Sequence, residues 1–245
     1  MQHIKRILIT KDGRTFYVKD ISNDYHCEHG LVKAKDLKKK DGTIVKTNKG
    51  IEMTLLMPRF IDVVKKIKRG AQIITRKDIG EIIVETGLNK DSIVVDCGAG
   101  SGGLACYLAF LCKKVTSYEI RQDHLELVNK NIEFLGLKNL VLKLGDVYEK
   151  IDEKNVDIVT VDVQEPWKVL ENASNALKNG GFLVSYSPNI TQSINVVNKS
   201  EEHGFCHLKT TELLERNWDI VDRVAHPKFR DINHTGFLSF FRKIK

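Results

Sequence analysis

The sequence predicts an α/β protein whose larger part is Rossmann-like, an open seven-stranded sheet with an antiparallel edge strand. Three observations lead to this prediction. From residue 59 onward, apolar strand patterns alternate with amphipathic helix patterns. A glycine-rich loop at residues 96–102 follows the β-branched run at residues 93–95. The first 57 residues instead hold short β-like runs between turn residues, which predicts a small all-β domain before the larger one.

We assign residues 1–57 to the all-β domain and residues 58–245 to the Rossmann-like domain. In the first, two β-like runs flank Lys11-Asp12-Gly13-Arg14, a sequence typical of a hairpin turn. A domain this short needs to pack against its neighbour to be stable. Its predicted strands are residues 7–9, 15–18, 43–45 and 52–56.

The Rossmann-like domain opens with a helix that ends near Gly70 and a second helix, Ile79 to Thr86, with Asp78 as its N-cap. Two late apolar stretches have no full helix after them and predict an antiparallel pair at the sheet edge; they are residues 205–214 and 235–242. Between these parts, predicted strands cover residues 92–96, 115–119, 140–144, 156–162 and 181–186, and predicted helices cover about 102–112, 122–135, 167–178 and 190–203.

Composition places the chain among ordinary globular proteins, since 245 residues with 42% hydrophobic content can bury a core. Five cysteines form no Cys-x-x-Cys pair, which favours reduced thiols in an intracellular protein. The sequence shows neither a secretion signal nor an apolar run long enough to span a membrane, so we expect a cytoplasmic location. The eight histidines show no spacing that specifies a metal, and we expect none.

The positive charge is concentrated near the N-terminus. Residues 1–70 hold 17 Lys and Arg against 8 Asp and Glu, whereas the other 175 residues hold 22 against 24. Such asymmetry predicts contact with a polyanion, because neutralised phosphates release counterions. The alternative is a solvated lysine-rich surface, which is the better interpretation of the run at residues 38–40 taken alone.

The loop at residues 96–102, Asp-Cys-Gly-Ala-Gly-Ser-Gly, is the most informative motif. Its glycines at 98, 100 and 102 allow a tight turn and close approach of a ligand. Asp96 would repel the pyrophosphate of a dinucleotide but would attract a ligand with ammonium and sulfonium groups. S-adenosylmethionine is such a ligand. We expect helix N-terminal amides to bind its carboxylate and Asp96 to bind its amino group. Glu119, on the next strand, would bind its ribose hydroxyls. A turn without a ligand is the alternative.

Acids at later strand ends extend this predicted class I S-adenosylmethionine-dependent methyltransferase site, because ligands of open α/β sheets bind beyond the carboxyl ends of the strands. Asp146 is placed to accept a hydrogen bond from an adenine amine; a turn or cap aspartate is the alternative. Asp162, in Asp-Val-Gln-Glu-Pro-Trp, is the candidate catalytic residue. A carboxylate there stabilises the cation formed when a ring nitrogen is methylated. The alternative is that Asp162 only caps the following helix.

Four stretches resemble the tRNA (adenine-N1)-methyltransferases that modify the T loop, in their archaeal and bacterial single-gene form. The resemblance runs from about residue 59 to the end, with the small β domain in the corresponding place. The last stretch is the most discriminating, because generic methyltransferases lack it. The stretches are Gln72-Ile73-Ile74-x-x-Lys77-Asp78, residues 96–102, Asp162-x-x-x-Pro166-Trp167, and His234-Thr235-Gly236-Phe237-Leu238 before Phe241-Arg242-Lys243.

The resemblance implies methylation at N1 of adenine in tRNA, at position 58 or also 57, by a homotetramer that uses S-adenosylmethionine and releases S-adenosylhomocysteine. Asp162 would contact both the target adenine and the cofactor. The other predicted cofactor-binding residues are Gln72, Ile74, Asp96, Gly98, Gly100, Ser101, Gly102, Leu104, Glu119, Ile120, Asp146 and Val147. The predicted substrate-binding residues are Arg76, Tyr186, Asn189, Gln192, His234 and Thr235; residues 186–192 are alternatively a helix start capped by Asn189 or Thr191.

Two departures from the family pattern concern the target base. Thr75-Arg76 replaces an aromatic or His followed by proline, so a stacking partner is either missing or supplied elsewhere, and Arg76 either binds a phosphate or stacks on a base. Gln164 replaces a frequent proline. The alternatives are a small-molecule (precorrin-type) or protein (isoaspartyl-type) methyltransferase, or a non-catalytic RNA-binding subunit. The basic N-terminal region argues against the first two, and the complete set of strand-end acids argues against the third.

Overall fold

The computed structural model describes residues 4–70, 72–229 and 234–245. Contacts within the chain define two compact units. The first runs to Ile67 and includes Glu133–Gly136; the second comprises Lys68–Ile132 and Leu137–Lys245. The helix at Phe60–Val64, which we assigned to the Rossmann-like domain, therefore belongs by its contacts to the first unit.

The first unit is built on a four-stranded antiparallel sheet. Its predicted hairpin is confirmed: Ile9 pairs with Thr15, and Gly13 turns the chain at a φ of 84°. Leu8, Leu37 and Leu55 are fully buried in its core. A second hairpin and a one-turn helix, both too short to give a periodic pattern, were not predicted. The elements are β1 (Arg6–Thr10), β2 (Thr15–Val18), β3 (Tyr25–Cys27), β4 (Gly30–Val32), α1 (Ala34–Leu37), β5 (Ile44–Lys46), β6 (Glu52–Leu56) and α2 (Phe60–Val64), and the sheet order is β2-β1-β6-β5.

The second unit alternates helices and strands around a seven-stranded sheet. Its helices are α3 (Arg76–Thr86), α4 (Gly103–Leu111), α5 (Gln122–Leu135), α6 (Leu170–Ala176) and α7 (Ile190–Ser200). Its strands are β7 (Ile93–Cys97), β8 (Lys114–Glu119), β9 (Leu140–Leu144), β10 (Val156–Val161), β11 (Leu177–Ser187), β12 (Phe205–Glu212), β13 (Trp218–Val221), β14 (Val224–Pro227) and β15 (Phe237–Lys243). Turns of 3-10 helix at Pro166–Val169 and Glu201–His203 precede α6 and follow α7.

The sheet order is β12-β15-β11-β10-β7-β8-β9, with β7 to β11 parallel and β15 antiparallel to both of its neighbours. This confirms the predicted sheet and the antiparallel pairing of the last two strands. Strands β7 and β10 lie at its centre and are buried on both faces, which explains their continuous β-branched sequences. The carboxyl ends of the parallel strands consequently meet at one edge of the sheet.

Three details of the second unit differ from the prediction. Strand β11 begins at Leu177, inside the helix predicted over residues 167–178, and α6 is correspondingly short, Leu170–Ala176. Helix α3 begins at Arg76 with Thr75 as its N-cap, so Asp78 lies inside the first turn and is not the cap. Its carboxylate takes a hydrogen bond from the Thr75 hydroxyl instead. The hairpin of β13 and β14 was not predicted, because its strands are exposed on both faces and lack alternation. In the part of the chain that the structure describes, every helix is too short or too polar to cross a bilayer.

Candidate active site

A cleft of about 560 Å³ lies beyond the carboxyl ends of the parallel strands of the second unit. It has the position that the fold predicts for a ligand site. Eleven of the predicted site residues line it: Gln72, Ile74, Gly98, Gly100, Glu119, Ile120, Asp146, Val147, Asp162, Tyr186 and Thr235. Asp96, Ser101 and Leu104 line a small cavity whose wall also includes Gly98 and Asp162.

The glycine loop between β7 and α4 passes directly against the end of β10. Gly98 has a φ of 101°, and a Cβ at this position would lie 2.2 Å from the backbone oxygen of Asp162. The Asp162 amide in turn donates to the Cys97 carbonyl oxygen at 2.9 Å. Only glycine therefore allows the loop and the candidate catalytic residue to approach so closely.

The loop amides are used inside the protein. The amides of Gly98 and Ala99 both donate to the Tyr118 carbonyl oxygen, at 3.1 and 2.9 Å, and the Gly102 amide donates to the Ala99 oxygen. The Gly100 amide donates to the Glu119 carboxylate at 2.9 Å. These four donors are not free for a pyrophosphate. The amides in the first turn of α4, to which the sequence assigns the ligand's carboxylate, are a separate set.

Asp96, at the end of β7, is almost completely buried at 2% exposure. Its two carboxylate oxygens accept hydrogen bonds from the hydroxyls of Ser117 at 2.6 Å and Thr160 at 2.8 Å. Burial raises its pKa to about 6 despite these two donors, and the charge of Glu119 adds to the rise. Asp96 thus contributes negative charge next to the cleft, from a side chain that is itself almost fully buried.

Asp162 follows β10 at the wall of the cleft. Burial, with the nearby charge of Asp96, raises its pKa to about 7. Two acids with raised pKa values, close together beside a cleft, are typical of a functional site and favour a cationic ligand.

Glu119 ends β8 and is held on both oxygens. One accepts the Gly100 amide, and the other accepts the Arg121 amide at 3.0 Å. Nδ1 of His124 lies 3.7 Å from the carboxylate. The carboxylate is 7% exposed and lines the cleft, so its remaining lone pairs are available to vicinal hydroxyls of a ligand.

Two tethers hold the loop that follows Asp162. The Tyr148 hydroxyl accepts the Glu165 amide at 2.9 Å, while Asp146 accepts the Tyr148 amide at 2.8 Å. From the other side, the Gln192 side-chain amide donates to the Gln164 carbonyl oxygen at 2.7 Å. These bonds fix the backbone on which Asp162 is presented.

Five predicted site residues lie outside the cleft lining. Gly102 is the N-cap of α4, and a Cβ there would collide with Val128, so packing alone requires glycine. Arg76 is exposed in the first turn of α3. Burial raises the pKa of Tyr107, and the positive charge of Arg76 has a smaller effect that lowers it. The others are Asn189, Gln192 and His234.

Asn189 and Gln192 make local bonds at the start of α7. Asn189 is the N-cap, and its amide donates to the Gln192 side-chain oxygen at 3.2 Å. Their contacts match the alternative of a capped helix start. His234 touches two acceptors, the Glu212 carboxylate at 2.5 Å and the Pro188 carbonyl oxygen at 3.0 Å. Both contacts raise the pKa of His234 and favour its protonated form.

Several residues of the cleft lining were not predicted from the sequence. They are Tyr118, Arg121, His124, Gly145, Tyr148, Val163, Gln164 and Pro188. Most lie within a few residues of a predicted strand-end acid, so a wider window around each acid would have found them. Across residues 4–70, 72–229 and 234–245, no group of three or more His, Cys, Asp or Glu side chains is arranged to hold a metal ion.

Comparisons with known proteins identify the family of the chain. The family model described as tRNA methyltransferase complex GCD14 subunit matches residues 64–235. TrmI of Methanocaldococcus jannaschii, a tRNA (adenine(57)-N(1)/adenine(58)-N(1))-methyltransferase, is 34% identical, with 97% of this chain and 94% of that protein aligned. TrmI of Thermus thermophilus, a tRNA (adenine(58)-N(1))-methyltransferase, is 36% identical over 83% of this chain and 82% of its own.

Solved structures share the whole architecture. A Thermotoga maritima protein described as a SAM-dependent O-methyltransferase superposes with a TM-score of 0.88 at 28% identity, covering 100% of this chain and 94% of that one. The tRNA (m1A58) methyltransferase TrmI of Aquifex aeolicus shares the fold, with a TM-score of 0.82 at 24% identity and coverage of 100% and 98%. By its match to the family model and its identity to TrmI over most of its length, the chain belongs to the GCD14 family of tRNA methyltransferases.

Proposed function

We propose that this protein transfers a methyl group from S-adenosylmethionine to N1 of adenine in the T loop of tRNA, at position 58 or at 57 and 58. The observation that carries the proposal is the partly buried Asp162 carboxylate at the wall of a cleft rimmed by further acids. The names of the TrmI relatives support the choice of tRNA, of adenine N1 and of these two positions.

The residues of the cleft suit S-adenosylmethionine. Glu119 and Asp146 both line the cleft; in this proposal Glu119 would accept hydrogen bonds from the ribose hydroxyls and Asp146 from the adenine amine. Asp96, which lines the small adjoining cavity, would attract the cationic groups through its negative charge. Filled loop amides and clustered acids both disfavour a phosphorylated coenzyme. When bound, S-adenosylmethionine supplies an electrophilic methyl group.

Asp162 would act on the target base in two ways. Its carboxylate accepts a hydrogen bond from the exocyclic amine, which orients the adjacent N1 lone pair toward the methyl donor. The same charge stabilises the cation that forms on the ring as N1 becomes methylated. The side chains of Val163, Tyr186 and Pro188 line this part of the cleft and help to exclude water.

We also propose a tRNA-docking role for the basic N-terminal region and a cytoplasmic location. The lysines that carry the charge are exposed, among them Lys11, Lys19, Lys38, Lys40 and Lys49. Such a surface neutralises backbone phosphates without reading sequence.

We propose a homotetramer as the working form. The supporting observation is the β13–β14 hairpin, in which Trp218, Ile220, Val221 and Val224 are 51 to 73% exposed. A two-stranded hairpin is marginally stable alone, and exposed apolar clusters mark protein interfaces. A second copy of the chain would cover these side chains.

The test of the activity is incubation of unmodified tRNA with the protein and isotope-labelled S-adenosylmethionine, followed by nucleoside mass analysis. We expect 1-methyladenosine from the T loop. Asp162→Asn should lower the transfer rate by about 10²- to 10³-fold, because it removes charge stabilisation, while affinity for S-adenosylhomocysteine stays within about twofold. Asp91→Asn, an exposed carboxylate outside the cleft, is the control.

Four outcomes would contradict the proposal. An O-methylated nucleoside, or no labelled RNA, would reject the reaction assigned here. Equal loss of transfer and of cofactor affinity in Asp162→Asn would reject the role of Asp162. Transfer unaffected by Asp162→Asn would reject it as well.

A further inference from the structure

Two of the sequence stretches quoted above meet in a buried polar network next to the cleft. Lys77, in the first turn of α3, donates to the Thr235 hydroxyl oxygen at 2.5 Å and pairs with Asp78 at 2.7 Å. The Thr235 hydroxyl donates to the other Asp78 oxygen at 2.8 Å. The Thr75 hydroxyl donates to that same oxygen at 2.7 Å. The network therefore joins the start of α3 to the segment that leads into β15.

Burial makes this network sensitive to the loss of any member. The Asp78 side chain is 0% exposed and that of Lys77 is 11% exposed. A buried ion pair keeps its geometry only when further hydrogen bonds satisfy both partners, and removal of one partner leaves an uncompensated charge. Here the hydroxyls of Thr75 and Thr235 supply those further bonds.

Thr235 connects this network to Tyr186, which lines the cleft. The Tyr186 hydroxyl donates to the Thr235 carbonyl oxygen. Gly236 lies against the same ring, where a Cβ would be 2.5 to 2.8 Å from its outer atoms. The phenol end of Tyr186 is thus enclosed between a fixed carbonyl and a residue without a side chain.

The phenol keeps its proton at this position. Burial and the charges of Asp78 and Asp162 together raise the pKa of Tyr186 to about 12. The ring therefore remains neutral and its hydroxyl remains a donor at physiological pH. Thr75 carries no ring, so Tyr186 supplies an aromatic face that position 75 does not.

We propose that Lys77, Asp78 and Thr235 are positioning residues, which hold the Tyr186 ring at the cleft in the orientation that receives the target adenine. This inference rests on the proposed function. In this role the three residues act on the reaction through the Tyr186 ring. Their effect should appear in the turnover of bound tRNA and not in cofactor affinity.

The test compares Thr235→Val, which loses the hydroxyl, with Thr235→Ser, which keeps it. We expect Thr235→Val to lower kcat for tRNA methylation about tenfold and to leave the Kd of S-adenosylhomocysteine within twofold. Thr235→Ser should recover most of the lost turnover. Lys77→Met breaks the same network from the other end and should lower kcat to a similar extent. It replaces Thr235→Val in the comparison if Thr235→Val folds poorly.

A matched control separates positioning from general support of helix α3. Lys209 on β12 bridges Glu81 and Glu85 of that helix at 2.8 and 2.9 Å, away from the cleft. Lys209→Gln should leave kcat unchanged. A double-mutant cycle gives the second readout: Tyr186→Phe alone should lower kcat, and adding Thr235→Val should cause little further loss.

The outcomes are decisive. Wild-type turnover in Thr235→Val, additive losses in the cycle, or equal losses in Lys209→Gln would overturn the positioning role while leaving the proposed function intact. If the wild-type protein forms no 1-methyladenosine at all, the proposed function itself fails.

Discussion

At the residue scale, the chemistry of the site depends on how deeply its acids are buried. Asp96 and Asp162 were identified from the sequence because each ends a predicted parallel strand. Their raised pKa values were not predictable, because these arise from burial in the folded chain and from the charges of acids distant in sequence, Glu119 for Asp96 and Asp96 for Asp162. The two acids were thus predicted from the sequence, but their raised pKa values were not.

A pH dependence of cofactor binding follows from these two pKa values. Asp162 titrates near 7 and Asp96 near 6 in the protein without ligand, and a cationic ligand favours their ionised forms. Binding should therefore release protons, and affinity for S-adenosylmethionine should rise about tenfold or more between about pH 5.5 and 7.5. Isothermal titration in buffers of different ionisation heat measures both quantities.

S-adenosylhomocysteine, which has no sulfonium charge, is the matched ligand and should show a smaller rise. Asp162→Asn should flatten the profile of S-adenosylmethionine. An affinity that is flat or falls across this range would contradict the assignment. In the ligand-free protein the same groups act against folding: the native state holds more protons than the unfolded state between about pH 4 and 7, so their contribution to stability falls as pH rises.

At the element scale, the strength of the sequence pattern decided what could be predicted. Strands buried on both faces, such as β7 and β10, give continuous apolar runs, and their limits were predicted to within a residue or so. The β13–β14 hairpin has no face that packs within the described chain, so no alternation marks it. The N-cap of α3 was misplaced because Asp78 has the right residue type but serves the buried network instead.

The hairpin gives a prediction about assembly. Ile220→Lys combined with Val224→Lys places charge on side chains that are 73 and 62% exposed in the single chain. If a second copy covers them, burial of these charges is unfavourable and the tetramer should dissociate. Sedimentation velocity should show the loss of mass.

Ile44→Lys, at a similarly exposed apolar residue of the first unit, is the control and should leave the mass unchanged. A double variant that remains tetrameric would show that this hairpin lies outside the interface. A wild-type protein that sediments as a monomer would reject the tetramer altogether.

At the scale of the whole molecule, the basic and acidic side chains are unevenly distributed along the chain. The catalytic unit carries acids where a cationic donor must bind, whereas the first 70 residues hold 17 basic against 8 acidic side chains. The count alone predicted this division. The sequence could not show which lysines stay free, since Lys33, Lys39 and Lys46 pair with carboxylates only in the folded chain.

Salt should therefore weaken tRNA binding steeply. The logarithm of affinity should fall linearly with the logarithm of salt concentration, with a slope of about −0.7 to −0.9 for each phosphate contact. Lys38→Glu with Lys40→Glu should reduce both the affinity and the slope. Filter binding or fluorescence anisotropy over a salt series measures them.

The control is Lys138→Glu with Lys199→Glu, which changes the net charge equally at exposed sites of the second unit. Identical losses in the two double variants would indicate a diffuse charge effect and no docking by the N-terminal region. A salt-independent affinity would exclude phosphate contacts as the main source of binding.

The internal bonding of the glycine loop has a consequence for repeated turnover. Because the Gly100 amide is paired with Glu119 and its neighbours with backbone oxygens, the binding wall keeps its shape whether or not it is occupied. Little conformational entropy is lost when fresh donor enters or when the spent molecule leaves. An incoming donor therefore meets a wall that hydrogen bonds within the chain already hold in place.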